Sequence, residues 1–291
     1  MTKTKSSARI AFFGTAPLAL GVLDALEKQS LTPSLIVAGK DSFNSRTKEV
    51  VFPIEKTWAI ERGIPYLQPE KIDDAFIDGL SKEDWDTFVV ASYGKILPKR
   101  LLDLPRCGTV NMHPSLLPRL RGPSPIRSAI LNDEKDTGVS VMLLDEKMDH
   151  GPIIAQKHIA IPQWPPKGRD LDRLLAEEGG ALLASMLPHW LSGDIEAREQ
   201  NHDLATFCKM FSKEDGELDL SDDPYQNLLK IRAFDGWPGT YTFFSRDNKR
   251  IRVQILEAHL ENGKLALDRV KPEGKGEMSY ADFVRSGAKP L

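Results

Sequence analysis

Apolar positions in the first half of the chain fall into short unbroken runs separated by stretches with helical spacing. Arg9–Phe13, Leu35–Ala38, Thr87–Ala91, Gly108–Met112 and Gly138–Leu144 are too short for helices. Unbroken apolar runs of this length fit strands covered on both faces. Leu18, Val22, Leu23 and Leu26 recur three or four residues apart, which predicts a helix after the first strand. Thr15 or Ala16 would precede it, with Pro17 in its first turn, where a missing N–H is harmless. Lys40–Val51 reads as a polar loop and Pro53–Glu61 as a second helix. This alternation predicts a Rossmann-like, mostly parallel sheet with helices on its faces, an α/β class of fold.

The pattern lengthens and then changes. Leu171, Leu174, Leu175, Leu182, Leu183 and Leu187 give Gly168–Leu191 a long amphipathic helical stripe. Beyond Gly193 the chain is polar, and 196–206 reads as a linker. Tyr225–Ile231 has helical spacing; Thr240–Phe244, Ile251–Glu257 and Lys264–Leu267 are short strand-like runs parted by turn residues. Such a series predicts a small OB-like β-barrel. The expected organisation is therefore a catalytic domain over 1–195, a linker over 196–206 and a second domain over 207–291.

Composition narrows the class without naming a function. In 291 residues, 41% hydrophobic and 28% charged positions are those of a soluble globular chain. The apolar stretch near the start, Ile10 to Phe13, is too short for a signal-peptide core. Cys107 and Cys208 are far apart and form no CxxC, which fits a reducing, cytoplasmic compartment. Net charge is −3, and 207–291 carries 14 Lys+Arg against 14 Asp+Glu, so any nucleic-acid surface must be a local patch.

Candidate chemistry concentrates in Asn111-Met112-His113-Pro114-Ser115-Leu116-Leu117-Pro118-Arg119-Leu120-Arg121-Gly122. Residues two apart on a strand share a side, so Asn111 and His113 face one way. They end a strand where open α/β sheets place their ligands. Pro114 and Pro118 disfavour helical backbone at the residues before them and stiffen the loop. An amide beside an imidazole suits stabilisation of an oxyanion formed when a nucleophile attacks a carbonyl. A carboxylate would orient the ring, and Asp149, in the loop after Gly138–Leu144 and before Gly151-Pro152, is the candidate. Ser115 lacks a G-x-S-x-G elbow, no phosphate-binding glycine motif occurs, and His113, His150 and His158 lack zinc-ligand spacing. The residues alone reach an α/β enzyme with a carbonyl-addition site.

The string N-x-H-x-S-L-L-P-x-x-R-G, continued by Pro123-Ser124-Pro125-Ile126, resembles the folate-dependent formyltransferases. Asp149, in its D-x-G-P setting, is similar to that family's catalytic aspartate, as are FFGTAPLAL, Gly63–Glu70 and Tyr93–Pro98 to its other strings. Phe211–Glu214, Arg232–Gly239 and Met278–Phe283 resemble the C-terminal domain of members that act on methionyl-tRNA. The resemblance implies transfer of a formyl group from 10-formyltetrahydrofolate to the α-amine of initiator methionyl-tRNA, by a monomer without a metal. It implies that Asn111, His113 and Asp149 are catalytic. Ser115, Leu116, Leu117 and Pro118 would contact the folate, and Tyr93, Gly94, Ile96 and Leu97 would line its pterin pocket. Arg46 and Lys48 of the loop after the second strand, with Lys209, Lys213, Arg250 and Arg252, would meet the tRNA. That loop, Gly39–Lys48, lacks the glycines usual in the family. Another amine acceptor, a formate-releasing hydrolase and a non-catalytic RNA-binding protein remain alternatives at this stage.

Overall fold

The computed structural model describes residues 8–15, 18–44, 47–247 and 249–291. Ala16, Pro17 and Arg46 lie outside them. In chain order the elements are β1 (Ile10–Gly14), α1 (Leu18–Lys28), β2 (Leu35–Val37), β3 (Ser42–Asn44), β4 (Glu49–Val51), α2 (Ile54–Glu61) and β5 (Tyr66–Leu67). There follow α3 (Asp74–Leu80), β6 (Thr87–Ala91), α4 (Lys99–Leu102), β7 (Thr109–His113), α5 (Pro125–Leu131), β8 (Thr137–Leu143), β9 (Ile153–Ile159) and α6 (Gly168–Ser192). The last are α7 (Pro224–Ala233), β10 (Thr240–Arg246), β11 (Lys249–Glu261), β12 (Lys264–Pro272), β13 (Met278–Ser279), α8 (Tyr280–Arg285) and β14 (Lys289–Pro290).

The chain divides into two compact units. The first comprises the described residues up to Gly122, Asp136–Ala160 and Asp172–Phe207; the second comprises Pro123–Lys135, Ile161–Leu171 and Cys208–Leu291. The first is built on a seven-stranded sheet of order β5-β2-β1-β6-β7-β8-β9. From β5 to β7 the strands pair in parallel, and β1, β6 and β7 are buried at every position. Phe13, Phe88 and Val90 project to one face among Ile77, Leu80, Trp85 and Leu101. On the other face α1 and α6 meet at glycines: a Cβ on Gly180 would stand 2.5 Å from the Gly21 carbonyl oxygen. Larger residues at that crossing would force the helices apart.

One strand direction differs from the sequence reading. Gly138–Leu144 was expected to continue the parallel sheet, with the Asp149 loop at a carboxyl end beside that of β7. β8 instead runs antiparallel to β7, with His113 opposite Ser140 and Val110 opposite Leu143. Its end therefore lies by the start of β7, where the Leu144 N–H donates to the Thr109 carbonyl. The following loop is a hairpin connection, because β9 begins beside the end of β8 with Ile153 opposite Met142. Apolar runs report burial and carry no direction, so the pattern could not distinguish the two.

Two segments expected to be irregular are structured. Lys40–Val51 contains the β3–β4 hairpin, with Phe43 opposite Val50, 61% and 58% exposed. Residues 196–206, read as a linker, belong to the first unit: Arg198 exchanges both backbone hydrogen bonds with Ile153, and Gln200 is 5% exposed. In the second unit the expected barrel is a five-stranded antiparallel sheet of order β13-β12-β11-β10-β14 around Phe244, Val253, Val270 and Phe283. Helix α7 packs Ile231 into that core, and Asp223 caps it by accepting from the Gln226 N–H.

Candidate active site

Asn111 and His113 occupy alternate positions of β7 and share the face of Phe13 and Val90. Met112, between them, points to the opposite face, where its sulfur meets Gly179 of α6. Asn111 is 8% exposed, and its side-chain amide makes no hydrogen bond among the described residues. A buried amide left this way is a donor available to a bound group. His113 is 4% exposed, and its Nε2 lies 3.0 Å from the Leu120 carbonyl oxygen. A carbonyl only accepts, so Nε2 carries the hydrogen and Nδ1 is the atom left for chemistry.

Nδ1 faces Asp149, whose Oδ1 is 3.6 Å away, with the two side chains 6% and 13% exposed. That distance exceeds a hydrogen bond and is short enough for an ion pair when the ring is charged. The other oxygen, Oδ2, accepts the Gly122 N–H at 2.7 Å. Asp149 holds a left-handed backbone, φ 48°, and so does Leu120, φ 56°. Such conformations in residues with side chains cost about 1–2 kcal/mol each. Gly151 permits the turn that follows, because a Cβ there would fall 2.2 Å from the Leu143 carbonyl oxygen.

The loop after β7 is fixed by side chains that the sequence reading passed over. Ser140 lies opposite His113, and its hydroxyl donates to the Ser115 carbonyl at 2.6 Å and accepts the Leu117 N–H at 3.0 Å. Gln156, opposite Ser140 on β9, donates to that hydroxyl at 2.9 Å and to the Leu117 carbonyl at 2.8 Å. Ser115 is 2% exposed and donates to the Arg119 carbonyl, so its hydroxyl shapes the loop. Thr206 accepts the Leu120 N–H at 2.9 Å. A serine in an apolar strand gives no sequence signal. A polar residue opposite a suspected catalytic histidine becomes visible only once the register is known.

Leu117 joins Met142 and Ile153 in an apolar cluster, while Leu116 and Pro118 are half-buried. Leu144 packs against that cluster and also against the core that includes Tyr93 and Leu97. Tyr93 and Leu97 turn into the core, whereas Gly94 is exposed and Ile96 is 91% exposed. The Tyr93 hydroxyl is buried without a partner among the described residues, and burial pushes its pKa up to about 12.

The expected RNA-contacting residues divide differently. Lys48 is exposed with φ 61°. Lys209 is paired with Asp215 at 2.6 Å, which with the Ser212 N–H holds that carboxyl down at about 2. Lys213 is exposed. Arg250 and Arg252 lie over Phe243 and Tyr241, each 3.6 Å from the ring centre. Among the described residues no three His, Cys, Asp or Glu side chains are grouped to hold a metal, and no helix is long and apolar enough to cross a membrane.

Residues 8–187 match the family model described as formyl transferase, and 210–265 match formyl transferase, C-terminal domain. The chain belongs to the formyl transferase family. It is 40% identical over 244 residues to the methionyl-tRNA formyltransferase of Chloroflexus aggregans, covering 84% of this chain and 79% of that one. It is 35% identical over 300 residues to the protein of that name from Bacillus pumilus, covering 96% and 94%. Among solved structures, methionyl-tRNA formyltransferase from Clostridium thermocellum aligns with TM-score 0.60 at 16% identity, covering 92% of this chain and all of that one. An N-formyltransferase from Helicobacter canadensis, solved with folinic acid and dTDP-3-aminofucose, aligns with TM-score 0.65 at 18% identity, covering 88% of each. At these identities the structures speak for the fold.

Proposed function

We propose that the protein transfers the formyl group of 10-formyltetrahydrofolate to the α-amine of initiator methionyl-tRNA, giving N-formylmethionyl-tRNA for translation initiation. Formyl transfer is supported by one observation: the buried His113, two positions along β7 from the buried Asn111, stands with its Nδ1 3.6 Å from Asp149 Oδ1. The acceptor rests on similarity to proteins named for methionyl-tRNA that runs through both units.

The folate co-substrate supplies an activated formyl carbon, and the chain supplies placement and charge. Asn111 offers its amide N–H to the formyl oxygen as that oxygen gains charge, and His113, protonated at Nδ1, offers a second donor. Asp149 stays by the ring and takes the proton that the α-amine loses on forming its new C–N bond, directly or through a water, and that proton passes to the folate nitrogen as its bond to the formyl carbon breaks and tetrahydrofolate leaves. An α-amine titrates near ~7.7–8.0, so the neutral nucleophile is accessible at neutral pH and positioning carries much of the acceleration. Ser115, Leu116, Leu117 and Pro118 border the folate on one side, and the segment with Tyr93, Gly94, Ile96 and Leu97 on the other.

In this reading the first unit, to which 196–206 belong, carries catalysis, and the second unit, which includes Cys208–Leu291, holds RNA. Lys213, Arg250 and Arg252 meet phosphates directly, and Lys209 exchanges Asp215 for one. Arg46 and Lys48 serve the acceptor end from the 39–51 loop. Cys107 and Cys208, which form no disulfide, support a cytoplasmic protein, which acts as a monomer. The test is transfer of label from 10-formyltetrahydrofolate to charged initiator tRNA, charged elongator tRNA or amino-sugar nucleotides. Label confined to methionyl initiator tRNA, with binding that weakens steeply in salt, is the expected result. Preferential labelling of an amino sugar overturns the acceptor assignment.

A further inference from the structure

The left-handed turn that aims Asp149 has its own clamp. Gln200 is 5% exposed, and both hydrogens of its amide are used on that turn: Nε2 donates to the Asp149 carbonyl at 2.9 Å and to the Gly151 carbonyl at 2.7 Å. Its Oε1 accepts twice from Arg121, from Nε at 3.2 Å and from Nη2 at 2.6 Å. The four hydrogen-bonding positions of the Gln200 amide are thereby filled. Arg121 directly precedes Gly122, whose N–H holds Asp149 Oδ2. One side chain therefore ties the backbone on which Asp149 sits to the segment that grips its carboxylate.

Arg121 shows how closely that clamp is built. Its guanidinium belongs to a residue 3% exposed and has no carboxylate in ion-pair range among the described residues. Its neighbours are neutral acceptors, Gln200 Oε1 and His202 Nδ1 at 2.8 Å, with the Phe207 ring 6.0 Å away. A buried cation held by neutral oxygens and nitrogens loses its solvation if one of them is removed.

We propose that Gln200 is a positioning residue for the transfer reaction. It holds Asp149 in the left-handed turn and fastens that turn to Arg121–Gly122, so that the carboxylate meets His113. Gln200 touches no reacting atom in this assignment and acts through Asp149. The kinetic part rests on the formyl-transfer reading; the structural part does not.

The experiment compares wild type with Gln200→Leu and Gln200→Glu, and measures amide hydrogen exchange alongside transfer kinetics. Gln200→Leu removes every bond of the clamp. Gln200→Glu keeps an acceptor for Arg121 and removes both donors to the Asp149 turn. Exchange at Gly122 should rise by about 10-fold or more in both variants, toward its rate in Asp149→Ala, while amides of the central strands such as Phe12 and Val89 keep their protection. The kcat for formyl transfer should fall by about 100-fold in both, with KM for the folate within about 2-fold, because misplacing a catalytic group by an ångström has effects of this size. Unchanged exchange at Gly122, or an equal rise through all the strands, overturns the proposal. Wild-type kcat in Gln200→Glu also overturns it, since the two lost donors would then be dispensable. Should wild type transfer no formyl group to any acceptor, the functional reading fails and the exchange data still decide the clamp.

Discussion

Replacing Ser140 with alanine removes one hydroxyl that serves three groups. Its Oγ donates to the Ser115 carbonyl at 2.6 Å and accepts from the Leu117 N–H at 3.0 Å and the Gln156 amide at 2.9 Å. Gln156 keeps its bond to the Leu117 carbonyl at 2.8 Å, so it is not left empty-handed. The Leu117 N–H and the Ser115 carbonyl do lose their partner, at a position where Ser140 is fully buried. A buried group left unsatisfied costs about 1–3 kcal/mol, and two of them together give a loss of about 2–6 kcal/mol in Ser140→Ala. The lost bonds anchor the segment Ser115–Pro118, whereas Asn111 and His113 remain on β7. Stability from urea denaturation should therefore drop by that amount. Affinity for tetrahydrofolate by calorimetry should fall about 10-fold, equivalent to about 1.4 kcal/mol of loop ordering. The kcat should change less than the affinity. A stability change below about 0.5 kcal/mol with unaltered folate affinity refutes the role given to this hydroxyl.

Three further outcomes follow from the geometry. Asp149→Gly relieves the positive φ and removes the carboxylate, so melting should show stability within about 1 kcal/mol of wild type while transfer is lost; retained transfer counts against the carboxylate. Tyr93→Phe removes a buried hydroxyl without a partner and should leave the free protein as stable or more stable by up to about 1 kcal/mol, with weaker folate binding; unchanged folate binding removes Tyr93 from the pocket. Asp215 has its pKa lowered from the usual carboxylate range to about 2, chiefly by Lys209, so its contribution is present above about pH 4 and is lost as the pH falls toward 2. Because Lys209 is 66% exposed, that contribution should be about 0.5–1 kcal/mol; denaturation of Asp215→Asn against wild type at pH 5 and pH 2.5 measures it, and an equal difference at both refutes the pairing.

Much of this was legible because the signals were local. The strand leading to Asn111 and His113 is an unbroken apolar run, and its alternation places both on one side in the structure as it does on paper. Gly168–Leu191 corresponds to α6 nearly to the residue, because a long leucine stripe has one periodicity to offer. What stayed hidden depends on contacts between distant segments. The antiparallel direction of β8 follows from how its connection packs. The β3–β4 hairpin sits in a stretch whose charged residues mask Phe43 and Val50. Gln200 and Ser140 are ordinary polar residues until their partners, Asp149 and His113, stand beside them. The Asp149 loop shows both sides of this: its Asp-His-Gly-Pro string marks a turn, while the approach of its carboxylate to His113 has no local signature.

The central claim is that Asp149 serves the transfer step beside His113 and Asn111. Its most direct test is the single-turnover rate of formyl transfer by Asp149→Asn against wild type, with folate and tRNA affinities measured on the same preparations. A fall of about 100- to 10,000-fold in the rate, with both affinities unchanged, is the outcome this geometry predicts for a proton-handling group. A near-normal rate in a folded Asp149→Asn protein would contradict it.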